Sequence, residues 1–506
     1  MDNEIEKDKF KSTVNDLENN YDDHLNEILP NLHRGDIASS NRTLGLIDSV
    51  MATSATFLII PIRNLKKLND GEDLSDFFYE NRLEFVMFFL GFAVVLTIWE
   101  NINIRAMVIK RVDDLFLFFI CLEMLATTVL PFSIALQGHY PSEVSSILLT
   151  CFIIGFMNVN DIILSIYAMK TPRVLHVMMQ KWTKPHLNRF KNCFIVKPVI
   201  SLMLVSLSAC FCVLNYAVSW FILSLLIMMP VINKCYYFIR RRIMKPTDLE
   251  CCRFYYCFTK GNISKERIET MSDAAVAIIA CILILDITVE DFPFKEKVYQ
   301  FGLNYELNKM HRKFLTFLAT FSMVLSLWFV NHTIFHLYKS VNAIIFYLQK
   351  TLLAFACLCP LAGNLVLKLS TAGNKNSNHA IRASALIIFF SSSANLLILL
   401  YGLFFGKRYL HSWAVFGCFK VNARQHLYTI LKAFNLPFWS LLCVLGTLGS
   451  PNIALYSMYA CYTGSVITTF SSKLLFMNNF GKKSYAHELQ NFDTDCTEPN
   501  KIDQRD

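Results

Sequence analysis

The chain has 506 residues, 54% of them hydrophobic and 17% charged, with 43 Phe and a formal net charge of +9; its mean hydropathy is +0.39. That balance is too apolar for a soluble multidomain protein and points to an integral membrane protein. The surplus positive charge sits in loops, where topology accounts for it, so nucleic acid is not an expected partner.

In chain order, the first 41 residues are polar and mixed in charge, with no n-region, apolar core and cleavage site in succession, so the first span is expected to direct insertion itself. Apolar runs then follow, each long enough to cross a hydrocarbon core of ~30 Å as a helix. They are continuous and do not alternate, which disfavours a β-barrel, and backbone groups in lipid must be satisfied within the segment. The expected fold class is an all-α integral membrane protein of about 12 transmembrane helices, arranged as two parallel six-helix repeats. The expected organisation is a tail over 1–41, a first repeat over 42–233, a basic linker over 234–266, a second repeat over 267–476 and a tail over 477–506.

The basic stretches KTPRVLHVMMQKWTKPHLNRFKNCFIVKP and KCYYFIRRRIMKPTD are expected in the cytoplasm by the positive-inside rule. Both termini then lie there too, with the acidic segment Asp70, Glu72, Asp73, Asp76 and Glu80 on the opposite side. Cys251, Cys252 and Cys257 share one basic loop and are expected to be cytosolic and reduced. No metal site, no cofactor and no enzyme chemistry is expected: HExxH, GxSxG and P-loop patterns are absent.

The internal repeat is written most clearly in two stretches, RTLGLIDSVMATSATFLIIPI from Arg42 and RIETMSDAAVAIIACILILDI from Arg267. Each opens on Arg, carries Asp48 or Asp273 six residues later, and then runs apolar for one membrane thickness. A buried Asp at that depth costs ~2.5–3.5 kcal/mol and marks a site by default. Other landmarks keep register: Trp99, Lys110, Asp113 and Pro131 answer to Trp328, Lys339, Asn342 and Pro360, and Ile102 and Asn103 to Asn331 and His332. Repeats with an even number of spans enter the membrane from the same side and are related by an axis near its normal, a natural place for a pore.

At helical spacing the first stretch aligns Ser49, Thr53, Thr56 and Ile60, and the second Ala274, Ile278, Cys281 and Leu285. Two readings stand for these stripes: helix–helix packing through small residues, or a water-filled pathway narrowed by aliphatic side chains that gates by dewetting. Arg42 with Asp48, and Arg267 with Asp273, are expected to pair within the bundle, as a packing clamp or as part of the pathway. Asp286 stands where the first copy has Pro61 and breaks the symmetry. His332 reads as a proton relay or as a hydrogen-bonded structural group. Glu100, Glu123 and Asp161 are further polar intrusions without counterparts in the other half.

The paired Arg and Asp, together with LWFVNHTIF and the two-repeat plan, resemble the transmembrane protein 175 family of endosomal and lysosomal potassium and proton channels. The resemblance implies a homodimer in the lipid bilayer, passing potassium ions and protons through a central pore lined by the first and seventh spans. It carries the family's constricting isoleucine to Ile278 and its pore-facing threonine to Cys281, with Thr53 and Thr56 in the first copy. Ile60 and Leu285 extend the two pore stripes, and a proton-sensing role falls on Asp48. The motif network becomes Arg42, Asp48, Arg267, Ser272 and Asp273. The departures are Leu46 and Ile47 for the Phe and Ser of the first motif, Met271 for the Phe of the second, and Thr53 for an isoleucine. A secondary transporter of two six-helix halves is the competing class; the loop NIRAMVIKRVDDL lacks the Gly that the major facilitator pattern would place there.

Overall fold

The computed structural model describes residues 37–63, 73–171, 174–176, 179, 182, 184–243, 263–285, 287–288, 292–369, 376–415 and 420–480. Most of both tails, the cysteine loop with Cys251, Cys252 and Cys257, the acidic residues Asp70 and Glu72, and Asp286 lie outside them.

The described chain is almost entirely helical. A short strand β1 (Ile37–Ser39) precedes α1 (Ser40–Phe57), α2 (Ile60–Arg63), α3 (Leu74–Glu80) and α4 (Arg82–Val108). Strand β2 (Arg111–Asp113) then leads into α5 (Asp114–His139), α6 (Val144–Lys170), α7 (Lys184–Phe211) and α8 (Tyr216–Ile243). The second half runs through α9 (Lys265–Leu285), α10 (Lys295–Phe301), α11 (Leu303–Lys309), α12 (His311–His336), α13 (Ala343–Ala356), α14 (Cys359–Leu369), α15 (Ser377–Phe404), α16 (Lys420–Gly446) and α17 (Pro451–Phe480). Among the described residues, ten helical segments are long and apolar enough to cross a membrane, with α13 and α14 counted as one span; in α8 only Tyr216–Met229 is apolar. Helix α17 is interrupted by hydroxyls, Ser457, Thr463, Ser465, Thr468 and Thr469 among them, which lower its hydropathy without breaking the helix.

Prolines set two of the breaks. A proline inside a helix clashes with the carbonyl four residues earlier. Helix α1 ends at Phe57, four residues before Pro61, and α13 ends at Ala356, four residues before Pro360. Both prolines then sit in the first turn of the next helix, where no donor is missed. Pro131 lies inside α5, which continues through it.

The described residues within 1–51 and 97–261 form one compact unit, and those within 52–96 and 262–506 a second. In the first unit β1 pairs antiparallel with β2, Ala38 opposite Val112. Asp113 caps α5 by accepting from Phe116 N–H at 2.9 Å, and Ser208 and Ser219, both fully buried, join α7 to α8 with hydroxyls 2.6 Å apart. In the second unit Asn342 caps α13 by accepting from Ile345 N–H at 3.0 Å. Capping of this kind is worth ~1 kcal/mol, so the landmark Asp113/Asn342 marks the same local event in both copies. The backbone repeats it: Lys110 N–H donates to Val174 O at 3.1 Å and Lys339 N–H to Tyr409 O at 2.8 Å.

Candidate functional site

The two repeated helices, α1 and α9, each present their Asp to a tryptophan. In the first unit the Trp99 indole N–H donates to Asp48 Oδ1 at 2.8 Å; Asp48 is fully buried and Trp99 is 1% exposed. In the second the Trp328 indole donates to Asp273 Oδ1 at 2.7 Å, but here Asp273 is exposed. His332 stacks on the other side of this pair, its ring 5.5 Å from that of Trp328 and tilted by 20°. In the first copy the answering Asn103 donates to Trp99 O at 2.9 Å.

Each Asp that the sequence paired with an Arg is held by an indole, an Asp–Trp clasp in each copy. Arg42 stands exposed at the start of α1, and Arg267 is half-buried. The signal for the clasp was in the sequence: Asp48 and Asp273 are 225 positions apart and Trp99 and Trp328 are 229 apart, so both members recur together.

Behind the second clasp lies a neutral polar network. Gln349 Nε2 donates to Ser272 Oγ at 3.0 Å, Asn331 Nδ2 to Gln349 Oε1 at 2.9 Å and to Asn395 Oδ1 at 2.8 Å, and Asn395 Nδ2 to Leu327 O at 3.1 Å. All four side chains are buried, and buried amides hold only when their partners are complete. The positions answering to Ser272, Asn331 and Gln349 in the first copy are Ile47, Ile102 and Ile120, 1%, 2% and 4% exposed. Together with Ser40, Thr43 and Leu44 they border a small apolar cavity in the first unit. The loss of Ser at Ile47 is therefore not an isolated departure, because the side chains it would have bonded have become apolar with it.

The stripes themselves differ in access. On α9, Cys281 and Leu285 are exposed and Ala274 and Ile278 half-buried, while Met271, Ser272, Ala275, Ile279 and Ile282 form the buried side. On α1, Ser49 is exposed, Thr53 half-buried and Thr56 fully buried. The Thr56 hydroxyl is bound to Ala52 O and Thr53 O, each at 3.0 Å, so it serves its own helix. Ile60 lies beyond the break at Leu58 and Ile59, and the helical spacing that carried the stripe ends at Thr56. Glu123 and Asp161, left unmatched by the sequence reading, meet on Arg105, a residue that reading passed over.

Comparison with known proteins finds both copies of the repeated helix. The model of the family described as "Endosomal/lysosomal potassium channel TMEM175" matches residues 42–131 and 267–360. Each match begins on the motif Arg and ends on the landmark Pro. Proteins named "Endosomal/lysosomal proton channel TMEM175" are similar over most of their length: that of Danio rerio is 27% identical over 425 residues, 82% of this chain and 80% of the other. That of Gallus gallus is 24% identical over 411 residues, 80% of each, and that of Homo sapiens 24% over 425 residues, 81% of each. A solved structure of a lysosomal potassium-selective channel TMEM175 homolog from Chamaesiphon minutus aligns with TM-score 0.33 at 19% identity, over 41% of this chain and 97% of that one. With its signature helix written twice, and matched twice over the same span from Arg to Pro, the chain is similar to the TMEM175 family in both of its copies.

Proposed function

We propose that the chain is a cation channel that passes potassium ions and protons across endosomal and lysosomal membranes. The observation that carries this reading is the doubled Asp–Trp clasp on the repeated helices, in a chain whose relatives are named as channels of those membranes. The pore is lined by α1 and α9 of a homodimer, with both termini in the cytoplasm. On α9 the accessible face holds Ile278, Cys281 and Leu285, which suits an apolar constriction that opens by wetting. On α1 the constricting position is Thr53, which is half-buried and has exposed Ser49 on the same face. Arg42, Asp48, Arg267, Ser272 and Asp273 fix how the lining helices stand against the helices behind them, and Asp48 is the carboxylate through which lumenal acid acts.

A ring of two Ile278 and two Thr53 side chains is less apolar than four isoleucines, so its dewetting barrier is lower and the channel leaks more readily than one with isoleucine at both positions. The test is recording from organelles or planar bilayers under potassium, sodium and proton gradients. A current that reverses at the potassium potential with no coupled substrate supports the channel. A flux that saturates and needs a co-substrate would instead make the two halves those of a secondary transporter.

A further inference from the structure

The first unit carries a cluster of charges that neither the clasp nor the pore stripes use. Arg105 on α4 reaches two carboxylates on two other helices: Glu123 of α5, at 2.5 Å, and Asp161 of α6. The side chains of Arg105 and Glu123 are 5% and 4% exposed, and that of Asp161 is 22% exposed. All three lie within helices apolar enough to span a membrane. A buried ion triad is weak as a source of stability, since apolar side chains of similar size commonly serve as well or better. The protein supplies that comparison itself. At the register of Trp99/Trp328 and Asn160/Asn395, the positions answering to Arg105, Glu123 and Asp161 are Ile334, Leu352 and Leu396. Ile334 and Leu352 are 0% and 2% exposed, so the second copy packs the same positions with hydrocarbon. Charges that the architecture does not need, held inside a membrane, are there for chemistry.

The chemistry follows from the count. One guanidinium faces two carboxylates, which leaves one surplus negative charge in a setting that disfavours it, and one proton shared between the carboxylates removes it. We propose that Arg105, Glu123 and Asp161 form a proton-binding site separate from the pore-lining helices, loaded and unloaded through the more accessible Asp161. The other titratable groups on the neighbouring elements are committed. Asp48 holds the Trp99 indole, while Asp113 accepts from Phe116 N–H and the Tyr167 hydroxyl. Glu100 of α4 and Lys197 of α7 have partners of their own, and Asp114, Lys110 and Lys170 stand at helix ends. Arg105 and Trp99 share α4 less than two turns apart, so a change in the cluster's charge bears on the helix that holds Asp48.

The test does not require the chain to conduct. In pH-difference infrared spectra of the full-length protein in lipid vesicles, the wild type shows a carboxylic acid C=O band that shifts in deuterium oxide. The component of the band that D48N retains is lost in E123Q and in D161N, each of which leaves one carboxylate to one guanidinium. It is also lost in the triple variant R105I/E123L/D161L, which transplants the apolar residues of the second copy and is expected to fold for that reason. D48N keeps the band. Absence of the band in the wild type, persistence of that component in both single variants, or loss of the whole band in D48N alone overturns the proposal. If the triple variant does not fold, the two near-isosteric single variants decide the question by themselves.

Discussion

The two clasps use the same pair of side chains in opposite surroundings, and Trp→Phe substitution separates them. Trp99→Phe removes the indole N–H from a carboxylate that is fully buried. A hydrogen bond to a buried charged group is worth ~1.5–3 kcal/mol, and the smaller ring leaves a void in a site that is 1% exposed, adding ~1–2 kcal/mol. Trp328→Phe removes the same donor from Asp273, which is exposed, so no buried carboxylate is left unsatisfied and the loss is ~0.5–1.5 kcal/mol. Thermal or denaturant unfolding of the full-length variants in one detergent reads the difference, and Trp99→Phe is expected to cost at least twice as much. Repeating Trp99→Phe in an Asp48→Asn background, where the amide oxygen still accepts but carries no charge, isolates the electrostatic part: the cost should fall to that of a neutral hydrogen bond plus the cavity contribution. Equal losses at Trp99 and Trp328, or a Trp99→Phe loss unchanged by Asp48→Asn, would refute the reasoning.

Three further outcomes follow from the geometry. Thr53→Ile restores an apolar constriction on α1 and should reduce current in patch-clamp recordings; an undiminished current would remove Thr53 from the gate. Cys281 is exposed on α9 whereas Cys357 and Cys359 are buried, so a charged methanethiosulfonate reagent should block current in the wild type and lose its effect in Cys281→Ala, and block that survives in Cys281→Ala would place the reactive thiol elsewhere. A Cβ at Gly402 would stand 2.2 Å from the Tyr338 hydroxyl oxygen, which donates to Ile398 O at 2.5 Å and is fully buried. Gly402→Ala should therefore destabilise by ~1–3 kcal/mol, seen as a lower unfolding temperature with the ion preference unchanged, and no loss of stability would mean that Tyr338 moves aside freely.

Hydrophobic run length marked the ten described segments that are long and apolar enough to cross a membrane, because a helix crossing lipid must satisfy its own backbone and be largely apolar. Register between repeats marked the caps at Asp113 and Asn342 for a similar reason, since a cap is local and its partner lies three residues away. What pattern could not supply was partnership across helices. Asp48 was paired with Arg42 because the two are close in sequence, yet the indole that holds it comes from a residue 51 positions later. The helix break at Leu58 and Ile59 removed Ile60 from a stripe drawn for an unbroken helix, although Pro61 was there to announce it. Arg105 went unnoticed because its charge reads as the basic end of a span, and only the fold brings it to Glu123 and Asp161.

The copies have exchanged polarity at equivalent positions. The second holds Ser272, Asn331 and Gln349 where the first has Ile47, Ile102 and Ile120; the first holds Arg105, Glu123 and Asp161 where the second has Ile334, Leu352 and Leu396. Each set of three is in mutual contact where it is polar, so each works as a unit. The amide network is closed on itself and carries no titratable group, so it holds its helices at any pH. The ionic cluster carries two. On the proposed reading the two halves divide the work: the amide network anchors its helices without regard to protons, and the ionic cluster couples its helices to proton occupancy. Transplanting Ser272, Asn331 and Gln349 into the first copy as I47S/I102N/I120Q should then stabilise the α1–α4–α5 packing only if all three are introduced, because any one or two leave an amide or hydroxyl buried without its partner, at ~1–3 kcal/mol each. Single variants as stable as the triple would show that the exchange was not made as a set.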